Sequence, residues 1–283
     1  MNVLSIQSRV AYGYVGNSAA AFVLQRLGHE VWALDTVALS NHPAHGGWRG
    51  RMVPAGELAE LLAGLAERGL LSRCDAVLSG YLGDEATADV VATAVAQVRA
   101  VNPTALYCCD PVMGEVGRGV YVRPGLPARF AGTLVPQADL VTPNPFELER
   151  LTSQTADTRA GALAAADALR AQGPRVVVAT GLRLAEHRDE VAVLAVSAGG
   201  AWLARSPHRE LATWGAGDTF AALFLGRYLS ARDVADALGF AVGALDAVLA
   251  ETQARGADEL ALVAAQDALV NPPGRRPLVE RLQ

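Results

Sequence analysis

Residues Asp75 to Val112 read DAVLSGYLGDEATADVVATAVAQVRAVNPTALYCCDPV. Asp75–Ser79 and Ala105–Val112 are short apolar runs that suit buried strands, and Asp84–Val101 between them repeats apolar residues at helical spacing. A strand, a crossover helix and a second strand make a βαβ unit, which pairs its strands in parallel. The same alternation continues outward in both directions. Upstream lie a strand at Val3–Ser8, a helix from Asn17 (capped by Asn17 or Ser18), a strand at Glu30–Leu39 and a helix at Pro54–Arg68. Downstream come strands at Asp139–Thr142 and Arg175–Thr180 around a helix at Thr158–Gln172. Val191–Ser197 and Ala201–Ser206 flank Ala-Gly-Gly as a hairpin. Gly217–Leu229, Arg232–Ala250 and Glu259–Leu269 read as helices. The expectation is an α/β fold: one domain over residues 1–283, a mainly parallel central sheet with helices on both faces, and a loose tail over 272–283. Ligands of such sheets bind beyond the carboxyl ends of the strands, so residues just after each strand are the candidates.

Composition narrows the chemistry. The chain has 283 residues, 51% hydrophobic and 19% charged, with a net charge of −5. That balance suits a folded core and gives no basic surface for nucleic acid or an anionic membrane. The 24 basic residues are all Arg. Without Lys there is no Walker A loop, no kinase strand lysine and no Schiff base. Phosphate chemistry must then use backbone amides, Arg and metal. Cys74, Cys108 and Cys109 form no CxxC pattern, which argues against a disulfide framework or a zinc site and fits a reducing cytoplasm. No apolar run is long enough to span a bilayer, and the first residues lack a signal-peptide pattern. A cytoplasmic, unprocessed protein is expected.

Thr213-Trp-Gly-Ala-Gly-Asp-Thr-Phe220 is the sharpest motif. Gly215 and Gly217 leave amides uncovered at a helix start, which attracts an anion. Asp218 at the same place would repel a phosphate unless it takes the proton of an attacking hydroxyl. A plain helix cap is the alternative. Cys109-Asp110-Pro-Val-Met-Gly-Glu115 puts an acid at a strand end, as a metal-and-phosphate site or a turn starter. Val141-Thr142-Pro-Asn144-Pro-Phe-Glu147 places an amide and a carboxylate three apart at a helix start. That suits hydrated Mg²⁺ on nucleotide phosphates, or a capping box, or both. Thr180-Gly181 suits a phosphate oxygen or an ordinary turn. In the N-terminal half, Tyr12-Gly-Tyr-Val-Gly-Asn-Ser18 does not match GxGxxG, so NAD binding is rejected. Ser40-Asn-His-Pro-Ala-His-Gly-Gly-Trp48 suits a lid over an aromatic ligand, and its His42 and His45 lack the company of a zinc site. Ser79-Gly-Tyr81-Leu-Gly83 places an aromatic ring at the rim or in the core.

Taken together, Ser5-Ile-Gln-Ser8, Tyr14-Val-Gly-Asn-Ser-Ala19, Ser40-Asn-His42, Leu78-Ser-Gly-Tyr-Leu-Gly83, Cys109-Asp-Pro-Val-Met-Gly114, Thr142-Pro-Asn144 with Glu147, and Gly215-Ala-Gly-Asp218 resemble the ribokinase-like superfamily and, more narrowly, the pyridoxal kinases. The resemblance covers nearly the whole chain. It implies ATP-dependent phosphorylation of the 5′-hydroxymethyl group of pyridoxal. Asp218 would be the base, and the amides of Gly215, Ala216 and Gly217 the anion hole. Asp110, Asn144 and Glu147 would arrange Mg²⁺ and phosphates, with Asp110 and Glu147 as the metal-holding acids and Glu115 at an acidic family position. Thr142, Thr180 and Gly181 would contact ATP. Ser8, Val15, His42 and Tyr81 would line the pyridine pocket. The resemblance also implies a homodimer and allows a monovalent cation. Pro43 stands where pyridoxal kinases often carry Thr, Val120 falls near a position where some relatives have Cys, and Thr180–Leu184 departs from the usual version. The alternatives are a hydroxymethylpyrimidine kinase of the same superfamily, a catalytically weak pyridoxal-binding protein, and a structural domain without chemistry.

Overall fold

The structure, a computed structural model, describes residues 1–211, 213–273 and 278–282. Along the chain run β1 (Asn2–Tyr12), α1 (Asn17–Arg26), β2 (Glu30–Asn41), a 3₁₀ turn at Pro43–His45, β3 (Gly50–Met52), α2 (Ala55–Glu67), β4 (Ala76–Ser79) and α3 (Glu85–Val101). Then come β5 (Leu106–Cys109), β6 (Gly114–Glu115), β7 (Gly119–Val120), α4 (Leu126–Arg129), a π-helical turn at Phe130–Leu134, α5 (Val135–Gln137), β8 (Leu140–Val141) and α6 (Pro145–Thr152). The remainder is α7 (Arg159–Arg170), β9 (Val176–Leu182), β10 (Glu190–Ser197), β11 (Gly200–Pro207), α8 (Ala216–Ala231), α9 (Val234–Arg255) and β12 (Glu280–Leu282).

Ten strands form one sheet in the order β12-β11-β10-β9-β8-β5-β4-β1-β2-β3. The pairs from β2 through β1, β4, β5 and β8 to β9 are parallel, and the pairs at the two margins are antiparallel. The parallel strands are apolar throughout because both sheet faces are covered. Side chains alternate between two cores: Val77, Tyr107, Cys109 and Val177 face one, and Ala76, Leu78, Cys108 and Val178 the other. The first core holds Leu58 and Leu62 of α2, Val91 and Val95 of α3, and Leu169 of α7. The second holds Val23 and Leu24 of α1, Leu223 and Phe224 of α8, and Leu238 of α9. Helix α8 is apolar almost all round, since it lies between the sheet and its helical neighbours. Burying a side chain such as Phe224 contributes about 1.5–3 kcal/mol.

The expected mainly parallel α/β architecture is the observed one. Several elements differ in detail. Strand β5 ends at Cys109 and not at Val112: the Asp110 amide still donates to Ser79 O (2.9 Å), but Pro111 has no N–H to continue the ladder. The short strands β3, β6, β7 and β12 carry too few residues for a legible alternation. Glu259–Leu269 is not a helix. Residues 262–270 form successive turns that mix i→i−3 bonds (Ala268 to Ala265) with i→i−4 bonds (Asn271 to Asp267). Its Leu260, Leu262 and Leu269 pack into the second core from this irregular backbone, so their apolar spacing serves burial without a helix. Of the stretch expected to be a loose tail, residues 274–277 and 283 lie outside the described residues, whereas Glu280–Leu282 pair with β11 as β12.

Candidate active site

Parallel registry brings the carboxyl ends of the central strands to one rim. Ser79 is level with Cys109, Cys109 with Val141, and Val141 with Val177. The residues following those strands (Tyr81, Asp110 and Thr142 to Glu147) therefore emerge side by side, and Thr180 and Gly181, which lie inside β9 and not after it as expected, join them through the bond of the Thr180 amide to Pro143 O.

The first helical residues of α8 reach this rim beside the β1–α1 loop. Gly215 has φ of +87°, and a Cβ there would fall on the carbonyl oxygen of Tyr14. Only Gly allows that approach. Gly16 is held as tightly, since a Cβ would meet the carbonyl and Oγ of Ser8. The Asp218 carboxylate accepts the Gly16 amide, so Ser8, Gly16 and Asp218 form one contiguous unit. Burial raises the Asp218 carboxyl above its ordinary value, while the amides of Gly16 and of Asp218 itself pull it back.

Beside it lies an acidic pair. Asp110 is 6% exposed and Glu147 2%. Asp110 Oδ1 accepts from Thr142 Oγ1 at 3.1 Å. Burial raises Asp110 well above the ordinary carboxylate range, and the charges of Glu147 and Asp218 add to that. Glu147 is pushed up to about 8 by burial, although the amides of Asn144, Met113 and Gly114 oppose the shift. Its Oε1 accepts the Met113 amide at 3.0 Å and its Oε2 the Asn144 amide at 2.9 Å. Asn144 Oδ1 accepts the Glu147 amide in return, at 3.0 Å, which completes a capping box on α6. Asn144 Nδ2 donates to Gly114 O at 2.8 Å. The capping geometry is thus realised, and it leaves the Asn144 side chain engaged on both atoms.

The donor set has the chemistry of a magnesium site shared with phosphates. Two hard carboxylates repel each other in a buried place, and a divalent cation held by Asp110 and Glu147 would supply the positive charge that relieves it. Among the described residues no three His, Cys, Asp or Glu side chains gather into a complete metal cage.

On the other side of Asp218 the walls are aromatic. His42 caps the 3₁₀ turn, its Nδ1 accepting the Ala44 amide at 3.3 Å. Its ring stacks on Trp214 with centroids 4.9 Å apart and planes at 19°. Burial, reinforced by the charge of Arg118, lowers His42 to about 4. His42 is therefore neutral near pH 7, with Nδ1 as acceptor and the proton on Nε2. Val15 is buried against Gly215. Tyr81 is half-buried, and its carbonyl accepts from Thr36 Oγ1 at 2.7 Å. Thr180 bonds back to Pro143 O through its amide at 2.9 Å, and Gly181 beside it has φ of +64°.

The β6–β7 hairpin adjoins the acidic pair through Met113 and Gly114, which bond to Glu147 and Asn144. Glu115 pairs with Arg118 at 2.9 Å, and the Arg118 guanidinium lies over the Tyr121 ring at 5.7 Å. Glu147, Glu115, Asp110 and Asp218 all raise the Tyr121 phenol after burial has done so, which puts it within electrostatic reach of all four. Sequence reasoning missed Tyr121, Trp214 and the Met113 amide as site groups. Trp214 had a signal, since it directly precedes the Gly215 motif. Tyr121 and Met113 had none, because their role comes from a two-residue hairpin.

A protein-family model described as phosphomethylpyrimidine kinase matches residues 69–260. The chain is 52% identical over 280 residues to pyridoxal kinase PdxY of Rubrobacter xylanophilus, covering 98% of this chain and 97% of that one. It is 50% identical over 278 residues to pyridoxal kinase PdxY of Deinococcus radiodurans, covering 96% and 93%. Its structure resembles pyridoxal kinase from Leishmania donovani in complex with ADP and pyridoxamine, with a TM-score of 0.92 at 32% identity over 100% of this chain and 99% of that one.

Proposed function

Since the chain belongs to the pyridoxal kinases, we propose that its rim transfers the γ-phosphoryl group of ATP to the 5′-hydroxymethyl oxygen of pyridoxal, giving pyridoxal 5′-phosphate. One observation carries the assignment of roles: the Asp218 carboxylate is tied to Gly16 beside Ser8 and stands in the first turn of α8, behind Gly215.

Asp218 takes the proton of the 5′-hydroxyl as that oxygen bonds to the γ-phosphorus. The bond from phosphorus to the bridging oxygen breaks, and its electron pair leaves with ADP. A base is most useful when its pKa lies near the working pH, and burial moves Asp218 in that direction. The amides of Gly215, Ala216 and Gly217 point toward the charge that grows on the transferring group; such donors act most strongly in a partly dry site. Ser8, Val15, His42 and Tyr81 hold the pyridine ring, with the Nε2–H of neutral His42 as a donor to ring substituents. Thr142, Thr180 and Gly181 meet the nucleotide, and Glu115 on the β6–β7 hairpin lies close to its phosphates. Asp110 and Glu147 would hold hydrated Mg²⁺, which supplies charge neutralisation between the phosphates. A monovalent cation, a homodimer and a cytoplasmic setting belong to the same proposal.

A hydroxymethylpyrimidine substrate is the second reading. The family model described as phosphomethylpyrimidine kinase covers residues 69–260, which include Asp110, Glu147, Asp218 and Tyr81 but not Ser8, Val15 or His42. The transfer machinery is thus common to both readings, and the ring pocket separates them. The relatives that match the pocket half as well are pyridoxal kinases, which favours the first reading. Turnover of pyridoxal, pyridoxine and hydroxymethylpyrimidine with MgATP decides it. A preference for a B6 vitamer is expected. A preference for the pyrimidine overturns the substrate, and vitamer binding without ATP consumption overturns the activity.

A further inference from the structure

The aromatic wall of the ring pocket is held from behind by a residue that contacts no reacting atom. Glu259 is 7% exposed, in the segment that follows α9. Its Oε1 meets His45 Nε2 at 2.5 Å, and its Oε2 accepts the Tyr14 amide at 3.1 Å. Gly13 packs directly on the same carboxylate. His45 in turn sets its ring edge-on against Trp214, centroids 4.8 Å apart, and Trp214 stacks on His42. Next to Glu259, Asp258 accepts from the Tyr12 hydroxyl at 3.0 Å. Three segments distant in sequence therefore meet at one carboxylate, the β1–α1 loop, the 3₁₀ turn after β2 and the chain after α9, and His45 links them to a fourth, the approach to α8.

The platform under this contact is rigid. Leu260 and Leu262, on either side of Ala261, are buried in the second core, and Thr252 Oγ1 of α9 accepts the Ala261 amide at 2.9 Å. The parts it steadies are by contrast surface loops. His42 and Pro43 enter a turn of only three residues, and Trp214 is followed at once by Gly215 in a left-handed conformation. Such loops have no ladder of their own, so side-chain contacts must set where their rings lie.

We propose that Glu259 is a positioning residue for the pyridine ring: by holding His45 it keeps Trp214 against His42, and so places the aromatic wall beside the Gly215–Asp218 segment. This rests on the kinase reading for the identity of the ring, but not for the existence of the clamp. The carboxylate spans two loops, the turn that supplies the wall and the β1–α1 loop, whose Tyr14 carbonyl packs against Gly215. Loss of the clamp acts on ring binding first, because the His45 contact bears directly on the aromatic wall, whereas the Tyr14 contact reaches Asp218 only through Val15 and Gly16.

The test combines kinetics with the fluorescence of Trp214, taken as the difference between each protein and its Trp214→Phe partner. Glu259→Ala is expected to raise the KM for pyridoxal by roughly tenfold, with KM for ATP and kcat each within about threefold. Glu259→Gln keeps one acceptor oxygen at the same reach and is expected to fall between. The Trp214 emission is expected to shift to the red in Glu259→Ala as the indole leaves its packing. Should Glu259→Ala fail to fold, His45→Ala breaks the same contact from the other side with the same expected split. An unchanged pyridoxal KM and unchanged Trp214 emission overturn the proposal. So does an equal rise in both KM values, which marks general loosening. If the wild-type protein turns over no pyridoxal, the kinase reading fails; the emission shift then tests the clamp alone.

Discussion

The two sides of the rim are built on different principles. On the transfer side, Glu147 and Asp218 are set by backbone amides, those of Met113 and Asn144 for the first and of Gly16 and Asp218 itself for the second, and Asp110 by the Thr142 hydroxyl. On the ring side, His42, His45, Trp214 and Glu259 hold one another by side-chain contacts across some two hundred positions. The first arrangement is stiff and costs charge repulsion. The second is adjustable, because ring packing tolerates substitution where in-line phosphoryl transfer does not. The comparison teaches where selectivity and rate reside. On the proposed roles, a change on the transfer side is expected to alter kcat, and a change on the ring side the KM of the acceptor.

That division can be broken, and the largest effect is the most direct attempt. Asp218→Ala is expected to lower kcat by about 10²-fold or more, with ATP binding by titration calorimetry largely retained. An unchanged kcat would remove Asp218 as the base. Gly215→Ala comes next. A Cβ there meets the Tyr14 carbonyl in a left-handed conformation, so roughly 1–3 kcal/mol of strain is expected by denaturant unfolding, along with a fall in kcat of about tenfold to 10²-fold. If the main effect were on pyridoxal KM, the two sides would not be separable at this residue.

The acidic pair sharpens the comparison through pH. Asp110 and Glu147 both titrate higher in the folded protein than in the unfolded chain. Between the ordinary glutamate value of 4.5 and about 8, the native state keeps a Glu147 proton that the unfolded chain has released. Stability therefore falls as pH rises through that window when Mg²⁺ and nucleotide are left out. Asp110→Asn removes one of the repelling charges. Its thermal midpoint at pH 8 is expected to rise by about 2–4 °C and the pH slope to flatten, while kcat falls about tenfold. A steeper slope would contradict the repulsion. The smallest effect belongs to the ring side: Tyr81→Ala is expected to raise pyridoxal KM about three- to tenfold with little change in kcat, measured by steady-state kinetics.

Much of this was legible from residues alone, for identifiable reasons. Buried parallel strands must be apolar on both faces, so Asp75–Ser79 and Arg175–Thr180 announce themselves, and the acids that follow such strands stand out against them. The Gly215–Asp218 motif stands out as a helix start with bare amides and an acid, although taken alone it reads equally as a plain helix cap. The capping box and the phosphate-side reading of Asn144 and Glu147 were both visible, and the capping box is the part realised in hydrogen bonds. The post-α9 segment misled for a physical reason: Leu260, Leu262 and Leu269 are apolar for the core, and apolar spacing alone does not distinguish a helix from turns that bury the same side chains. For the same reason Glu259 read as the first residue of a helix when it is the anchor of an aromatic clamp.

Local chemistry thus decided the α/β class, the polarity of the sheet and the acids that handle phosphate, since periodicity, helix-start amides and turn residues act over a few neighbours. Tertiary packing alone decided that Trp214 would lie on His42, that Glu259 would grip His45, and that Glu280–Leu282 would add an edge strand to the sheet. Those contacts join segments far apart along the chain, and their geometry comes from how the helices and strands settle around two cores, which no short window of residues encodes.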